Sequence, residues 1–227
     1  MKNNLRLVVL QTVALFLVIM LCLFLPAGTL SWLAAWIFIL LFVGFFTSVN
    51  VWLSKHNPSL LKERMRLRTS DQKKWDRALF PVLEVLIIGW LVFISLDANR
   101  LHWLRVSILF RLIGGLILLC SFYLLFLTFR ENSYLSPVVR FQEERGQNVI
   151  STGPYRYVRH PMYSGIDLFL IGTPLLLGSW YGAFIGCLVM IVLARRAVLE
   201  ESMLVKELPG YELYMDKVKY RLLPHIW

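Results

Sequence analysis

Charge is what this chain has least of. Only 17% of its 227 residues are Asp, Glu, Lys or Arg, against 58% hydrophobic residues. That balance excludes an ordinary soluble globular domain and sets the chain in the membrane class. Acid is scarcer than base, 14 residues against 24, for a formal net charge of +10. The basic residues sit in short loops between apolar runs, so no basic face is free for nucleic acid, and none is expected as a partner. The pattern is that of charges held at an anionic leaflet. Cysteine is also sparse: Cys22, Cys120 and Cys187 each lie inside an apolar run. They make no disulfide framework and no metal-ligand spacing. The four histidines, His56, His102, His160 and His225, are scattered, so no metal site is expected. No polar stretch is long enough for a soluble domain.

What the chain does have is long apolar runs. Leu7–Leu25, Leu30–Leu53, Leu79–Leu96 and Leu112–Phe129 are uncharged or nearly so. Each reaches, or nearly reaches, the ~20 residues that cross a hydrocarbon core. Backbone groups must be satisfied within lipid, and the runs are continuous rather than alternating, so each is expected to be a helix and not a barrel strand. The first run follows Lys2 and Arg6 but is long for a signal sequence, and reads as a retained helix. Glu84, near the start of the third run, is expected to lie in the hydrated interface.

The segment Tyr163–Ala194 is apolar but interrupted by Gly172, Pro174, Gly178 and Gly182. It predicts a hairpin of two short helices turning near Leu177–Tyr181, with Gly178, Gly182 and Gly186 forming one smooth packing face. The resulting fold class is an all-α integral membrane protein: four full transmembrane helices plus a short-helix hairpin, with a cytoplasmic cofactor pocket formed by the C-terminal half. Residues 1–130 form the N-terminal transmembrane region and 131–227 the catalytic one. The segment Ser54–Ala78 is rich in Lys and Arg, which places it in the cytoplasm with the N-terminus, residues 130–147 and the C-terminal tail. Its Leu60, Leu61, Met65, Leu67 and Trp75 alternate with basic residues and suggest a helix lying in the interface. A bacterial inner membrane or its equivalent is the expected location.

One stretch departs from membrane filler. Gly153-Pro154-Tyr155-Arg156-Tyr157-Val158-Arg159-His160-Pro161-Met162-Tyr163-Ser164-Gly165 clusters tyrosines, arginines, a histidine and prolines. Across the hairpin lies Arg195-Arg196-Ala197-Val198-Leu199-Glu200-Glu201, so Tyr163 and Arg196 should be neighbours. Arg196 and Glu200 share a helix face. The arginines and His160 can hold a carboxylate or phosphate. The tyrosines offer hydroxyls and faces for a cation or purine, and Glu200 and Glu201 can accept from ribose hydroxyls or an amine. Pro161 should open a helix whose amides face the cluster. S-adenosylmethionine carries all the matching groups.

The pattern Gly-Pro-Tyr-x-x-x-Arg-His-Pro-x-Tyr-x-Gly, then Arg-x-x-x-Glu-Glu-x-x-Leu, then a tyrosine-rich turn and a closing Leu-Pro, resembles the isoprenylcysteine carboxyl methyltransferases and the related phospholipid N-methyltransferases. The resemblance covers Gln142–Pro224. It implies a membrane enzyme that takes S-adenosylmethionine from the cytoplasm and a lipidic or prenylated acceptor from the bilayer. It further implies that Gln142, Gln147, Asn148, Val149, Ile150, Tyr155, Tyr157, Arg159, His160, Pro161, Met162, Tyr163 and Glu200 contact the cofactor. Arg196 would hold the acceptor, with Glu200 and Glu201 beside it at the reaction centre. Leu208-Pro209-Gly210 departs from the phenylalanine-glycine pair of many relatives. Carboxyl O-methylation is the favoured activity. Transfer to a phospholipid amine or a thiol, a nicotinamide-dependent sterol-type reductase and a non-enzymatic scaffold are the alternatives.

Overall fold

The computed structural model describes residues 2–227, and the side chains of all of these but 2–5 and 7. The regular structure of the described residues is helical, in the order α1 (Lys2–Ala27), α2 (Leu33–His56), α3 (Pro58–Arg64), α4 (Lys74–Leu96), α5 (Ile108–Glu131), α6 (Pro161–Leu177), α7 (Trp180–Glu207) and α8 (Tyr211–Lys217). A π-helical turn, Asp97–Leu101, extends α4. Five of the helices (α1, α2, α4, α5 and α7) are long and apolar enough to cross a membrane. The four expected spans are thus present. The hairpin differs from expectation in its second arm, which is no short helix but runs for 28 residues. The reason is electrostatic: the arm carries its charges on its last turns, where they meet partners outside the apolar layer instead of ending the helix.

Local chemistry sets the hairpin. Pro161 occupies the first turn of α6, where its missing N–H costs nothing. Gly178 ends that helix at φ +98°, a conformation an L side chain resists. Ser179 then caps α7, its hydroxyl accepting from the Gly182 amide at 2.8 Å. Gly178 is therefore the turn itself and not part of a packing face with Gly182 and Gly186. Those two do serve close packing: a β-carbon at Gly186 would lie 2.6 Å from the Leu170 carbonyl oxygen.

The tightest crossing is between α5 and α6. A β-carbon at Gly172 would sit 2.8 Å from both the Gly114 oxygen and the Leu118 nitrogen. Backbone atoms cannot move aside as a flexible side chain can, and in lipid such small-residue contacts are what hold helices together. Gly172→Leu is accordingly expected to destabilise the protein by ~1–3 kcal/mol or more, read as a lowered thermal midpoint in detergent. A wild-type midpoint would show that α5 and α6 separate freely. Polar groups also link the helices: Trp90 Nε1 donates to the Gly182 oxygen at 2.7 Å, and Ser121 Oγ to the Gly165 oxygen at 2.7 Å. Phe38, Phe42, Trp90 and Phe169 fill the bundle interior.

The basic segment after α2 is not one continuous amphipathic helix. Only its first part is helical, and Leu60 and Leu61 are fully buried against Leu53, Phe129 and Leu135. Asn57 Oδ1 accepts from the Leu60 amide, which turns α3 back onto the protein. Leu67 remains exposed, and so does Glu84.

Candidate active site

At the end of the bundle where α6 begins and α7 ends, a cleft is walled by four pieces. These are residues 132–150, Tyr155 through Tyr163, the α7 residues Arg196, Glu200, Met203 and Leu204, and α8 with its lead-in. As folded it encloses about 90 Å³.

Arg196 sets the cleft's floor. It is buried, and its guanidinium is fully oriented. Nε donates to Asp76 Oδ1 at 2.9 Å, Nη1 to the Tyr163 hydroxyl at 3.1 Å and Nη2 to the Pro137 oxygen at 2.8 Å. Tyr163 in turn donates to Glu200 Oε2 at 2.7 Å. The expected meeting of Tyr163 with Arg196 is thus realised, as part of a line running Asp76–Arg196–Tyr163–Glu200. Asp76 has no exposed surface. Its other oxygen accepts from Gln72 Nε2 at 2.9 Å and the Val139 amide at 2.8 Å. A buried carboxylate is tolerable only when so satisfied. Glu200 faces the cleft without a Lys or Arg partner among the described residues.

Glu201, expected beside it at the reaction centre, lies elsewhere. It turns away from the cleft and accepts from Arg159 Nε and Arg221 Nε, both at 2.5 Å, with His160 Nε2 at 3.4 Å. One helical position separates the two glutamates by about 100°, so one faces the cleft and the other an ion cluster behind it. That cluster ties the C-terminal segment to the Arg-His-Pro motif. The Arg159 and His160 amides donate to the Tyr220 and Arg221 oxygens, each at 2.9 Å.

Of the residues expected at the cofactor, Gln142, Gln147, Asn148, Val149, Ile150, Tyr155, Arg159, His160, Met162, Tyr163 and Glu200 line the cleft. Tyr157 does not: it is 68% exposed, on the far side of the short turn that buries Tyr155. Pro161 is buried as the first residue of α6 and forms no wall. Gln142 and Gln147 line the cleft, but their amides are committed to the loop. Gln142 Nε2 donates to the Tyr134 oxygen at 2.6 Å, and Gln147 Oε1 accepts from the Gln142 amide at 2.8 Å. The backbone amides of residues 148–150 make no backbone hydrogen bond among the described residues.

The sequence reading missed Asp76 and the anchoring of Arg140, and it left Tyr211 and Tyr214 of the tyrosine-rich turn without a role. Arg140 is a buried cation gripped bidentately by Glu63 at 2.9 Å, and it also bonds Asp71 at 2.6 Å and Glu144 at 2.7 Å. Those bonds hold the Asp71 and Glu144 carboxyls below their usual range, against the opposing effect of desolvation. A usable signal was present: Glu63, Asp71 and Asp76 are the acids of the basic segment Ser54–Ala78, and each finds a buried arginine. Burial pushes the Tyr155, Tyr211 and Tyr214 phenols up, so they stay neutral donors. The Tyr211 hydroxyl is buried without a partner among the described residues, at the cleft wall.

Residues 109–209 match the profile of a family described as phospholipid methyltransferase. The similarity to this family covers less than half of the chain. Over 85 residues the chain is also 33% identical to the protein-S-isoprenylcysteine O-methyltransferase of Schizosaccharomyces pombe (strain 972 / ATCC 24843), a match over 37% of this chain. The match spans only 36% of that relative's length. The family segment contains α5 but for Ile108, and all of α6 and α7, hence the Arg-His-Pro motif, Arg196 and Glu200. Asp76, the partner of Arg196, lies outside it.

Proposed function

We propose that the protein is an S-adenosylmethionine-dependent membrane methyltransferase that methylates a lipidic acceptor, with O-methylation of a carboxylate as its favoured reaction. One observation carries the reading: a buried, fully oriented arginine stands one helical turn from a cleft-facing glutamate, within a segment matching the methyltransferase family. The basic loops gathered at the cleft end favour a cytoplasmic mouth.

The residues present suit the cofactor. The Tyr211 hydroxyl is buried without a partner, the amides of residues 148–150 offer an edge for a base or ribose, and Glu200 supplies a negative charge. The enclosed volume falls short of the ~300–1,000 Å³ of small-molecule pockets, so a nucleoside-sized ligand has to part the walls. The 148–150 segment is the wall least tied by hydrogen bonds. When bound, S-adenosylmethionine supplies a methyl group on a cationic sulfur. The chain's own task is positioning. Arg196 has five N–H groups, and its bonds to Asp76, Tyr163 and Pro137 leave one free on each terminal nitrogen. Those two can aim a carboxylate. A carboxylate is already ionised at neutral pH, so no base is required.

The family's description favours a second reading, transfer to a lipid amine. There Glu200 would take the amine's proton. Labelled S-adenosylmethionine tested against lipidic carboxylates, amines and thiols separates the two. Stabilisation by S-adenosylmethionine but not by a reduced nicotinamide is expected in a thermal shift. Glu200→Ala and His160→Ala should each weaken cofactor binding about ten- to a hundredfold, the scale of a lost charge-assisted hydrogen bond. Unchanged affinity in both variants would remove the site assignment.

A further inference from the structure

A second cavity lies at the other end of the bundle, where α4 ends, α5 begins and α6 turns into α7. Its lining includes Asp97, His102, Arg105, Arg111 and Gly178. Asp97 follows the last residue of α4 and Asp76 lies in its first turn, so at 1.5 Å per residue about 32 Å of helix separates them. The cavity is therefore no part of the cleft, and nothing about it depends on methyl transfer.

Its charges are layered. At the floor is Asp97, 2% exposed. Its Oδ2 accepts from Ser179 Oγ at 2.6 Å, but Oδ1 is buried with no partner among the described residues. A buried carboxylate oxygen of this kind calls for a donor. Above it, His102 and Arg105 are exposed, and Arg111 is partly so. Arg111 is held by Nε donating to the Val106 oxygen at 3.3 Å. Its guanidinium fits against Gly178, where a β-carbon would come within 2.7 Å of Nη2. The segment that carries His102 and Arg105 also exposes apolar residues as a collar, Leu101, Trp103, Leu104 and Ile108, of which Leu104 lines the cavity. An acid at the bottom, cations at the rim and apolar surface beyond mirror a molecule with a terminal ammonium, then a phosphate, then hydrocarbon.

We propose that this cavity binds a phosphate–ammonium zwitterion, seating a primary ammonium on Asp97 and the phosphate among Arg105, Arg111 and His102. The collar favours a lipid headgroup as its source. A primary ammonium has hydrogens to give Asp97. A trimethylated one has none, and a glycerol headgroup has no cation.

The test uses the full chain, purified in detergent and delipidated. Thermal unfolding is followed with added phosphatidylethanolamine, phosphatidylcholine or phosphatidylglycerol of identical chains. The ethanolamine lipid should stabilise at a concentration at least tenfold lower than the other two. Asp97→Asn keeps an acceptor for Ser179 but loses the charge, and should abolish that preference while leaving the response to phosphatidylglycerol. Arg105→Gln, at the exposed rim and without bearing on folding, should weaken the ethanolamine and glycerol lipids alike, severalfold. Equal responses to the ethanolamine and choline lipids in the unaltered chain would overturn the proposal. So would a preference that survives in Asp97→Asn. If Asp97→Asn does not fold, the headgroup series and Arg105→Gln still decide. Soluble O-phosphoethanolamine stabilising as well as the lipid assigns the site to a free zwitterion, and a response to the lipid alone assigns it to the bilayer.

Discussion

Arg196→Ala is expected to abolish methyl transfer and to destabilise the protein by about 3–5 kcal/mol, the usual cost of removing one member of a buried ion pair. The cost arises at Asp76. That carboxylate has no exposed surface, and without the guanidinium it becomes an uncompensated buried charge. A protein of ordinary marginal stability, ~5–15 kcal/mol, has limited room for such a loss, so stability must be measured beside activity. Asp76→Ala should destabilise to a similar degree and also lose transfer, because Arg196 is then free to leave the cleft. Combining Asp76→Asn with Arg196→Gln removes both charges, and this double variant should recover most of the stability and none of the transfer. Thermal unfolding with a labelled-methyl assay distinguishes the cases. Transfer within tenfold of normal in Arg196→Ala would falsify the acceptor role.

Glu201→Ala should act on the fold more than on the chemistry. Glu201 is the shared partner of Arg159 and Arg221 and the neighbour of His160. Its loss leaves a buried guanidinium at Arg159 and releases the C-terminal segment that pairs with Arg159 and His160. A loss of about 3–5 kcal/mol or more, with cofactor affinity falling as His160 loosens, is the expected result. Glu200→Ala should contrast with it, weakening the cofactor while leaving the thermal midpoint nearly unchanged, since Glu200 makes a single hydrogen bond to Tyr163. A Glu201→Ala protein of normal midpoint and normal cofactor affinity that fails only in turnover would return Glu201 to the reaction centre.

The contrast between these adjacent glutamates shows where the sequence runs out. The Glu-Glu pair and its link to the Arg-His-Pro motif are legible as a pattern. Which member faces the cleft depends on the rotation of α7, set by the close approach of Gly186 to Leu170 far along the helix. Tyr157 illustrates the same limit: spacing makes it a companion of Tyr155, but the short turn between them sends one inward and the other to solvent. The segment Ser54–Ala78 is a third case. Its basic residues correctly announce a loop outside the apolar layer, yet its acids hold the arginines of the cleft.

By itself the sequence determined the apolar helices, the helix opening at Pro161, a turn near Leu177–Tyr181 and the cluster of polar groups at the end of the bundle. All of these follow from local rules, namely the length needed to cross a bilayer, the missing N–H of proline and the missing β-carbon of glycine. Only the tertiary structure decided that Arg196 pairs with Asp76, 120 residues away, and that Glu201 supports the cleft without lining it. It also decided that Asp97 meets Ser179 at the other end of the bundle. The physical reason is that a buried charge takes the partner that packing brings to it, and the spacing of residues along one helix does not say which charge of another helix that will be.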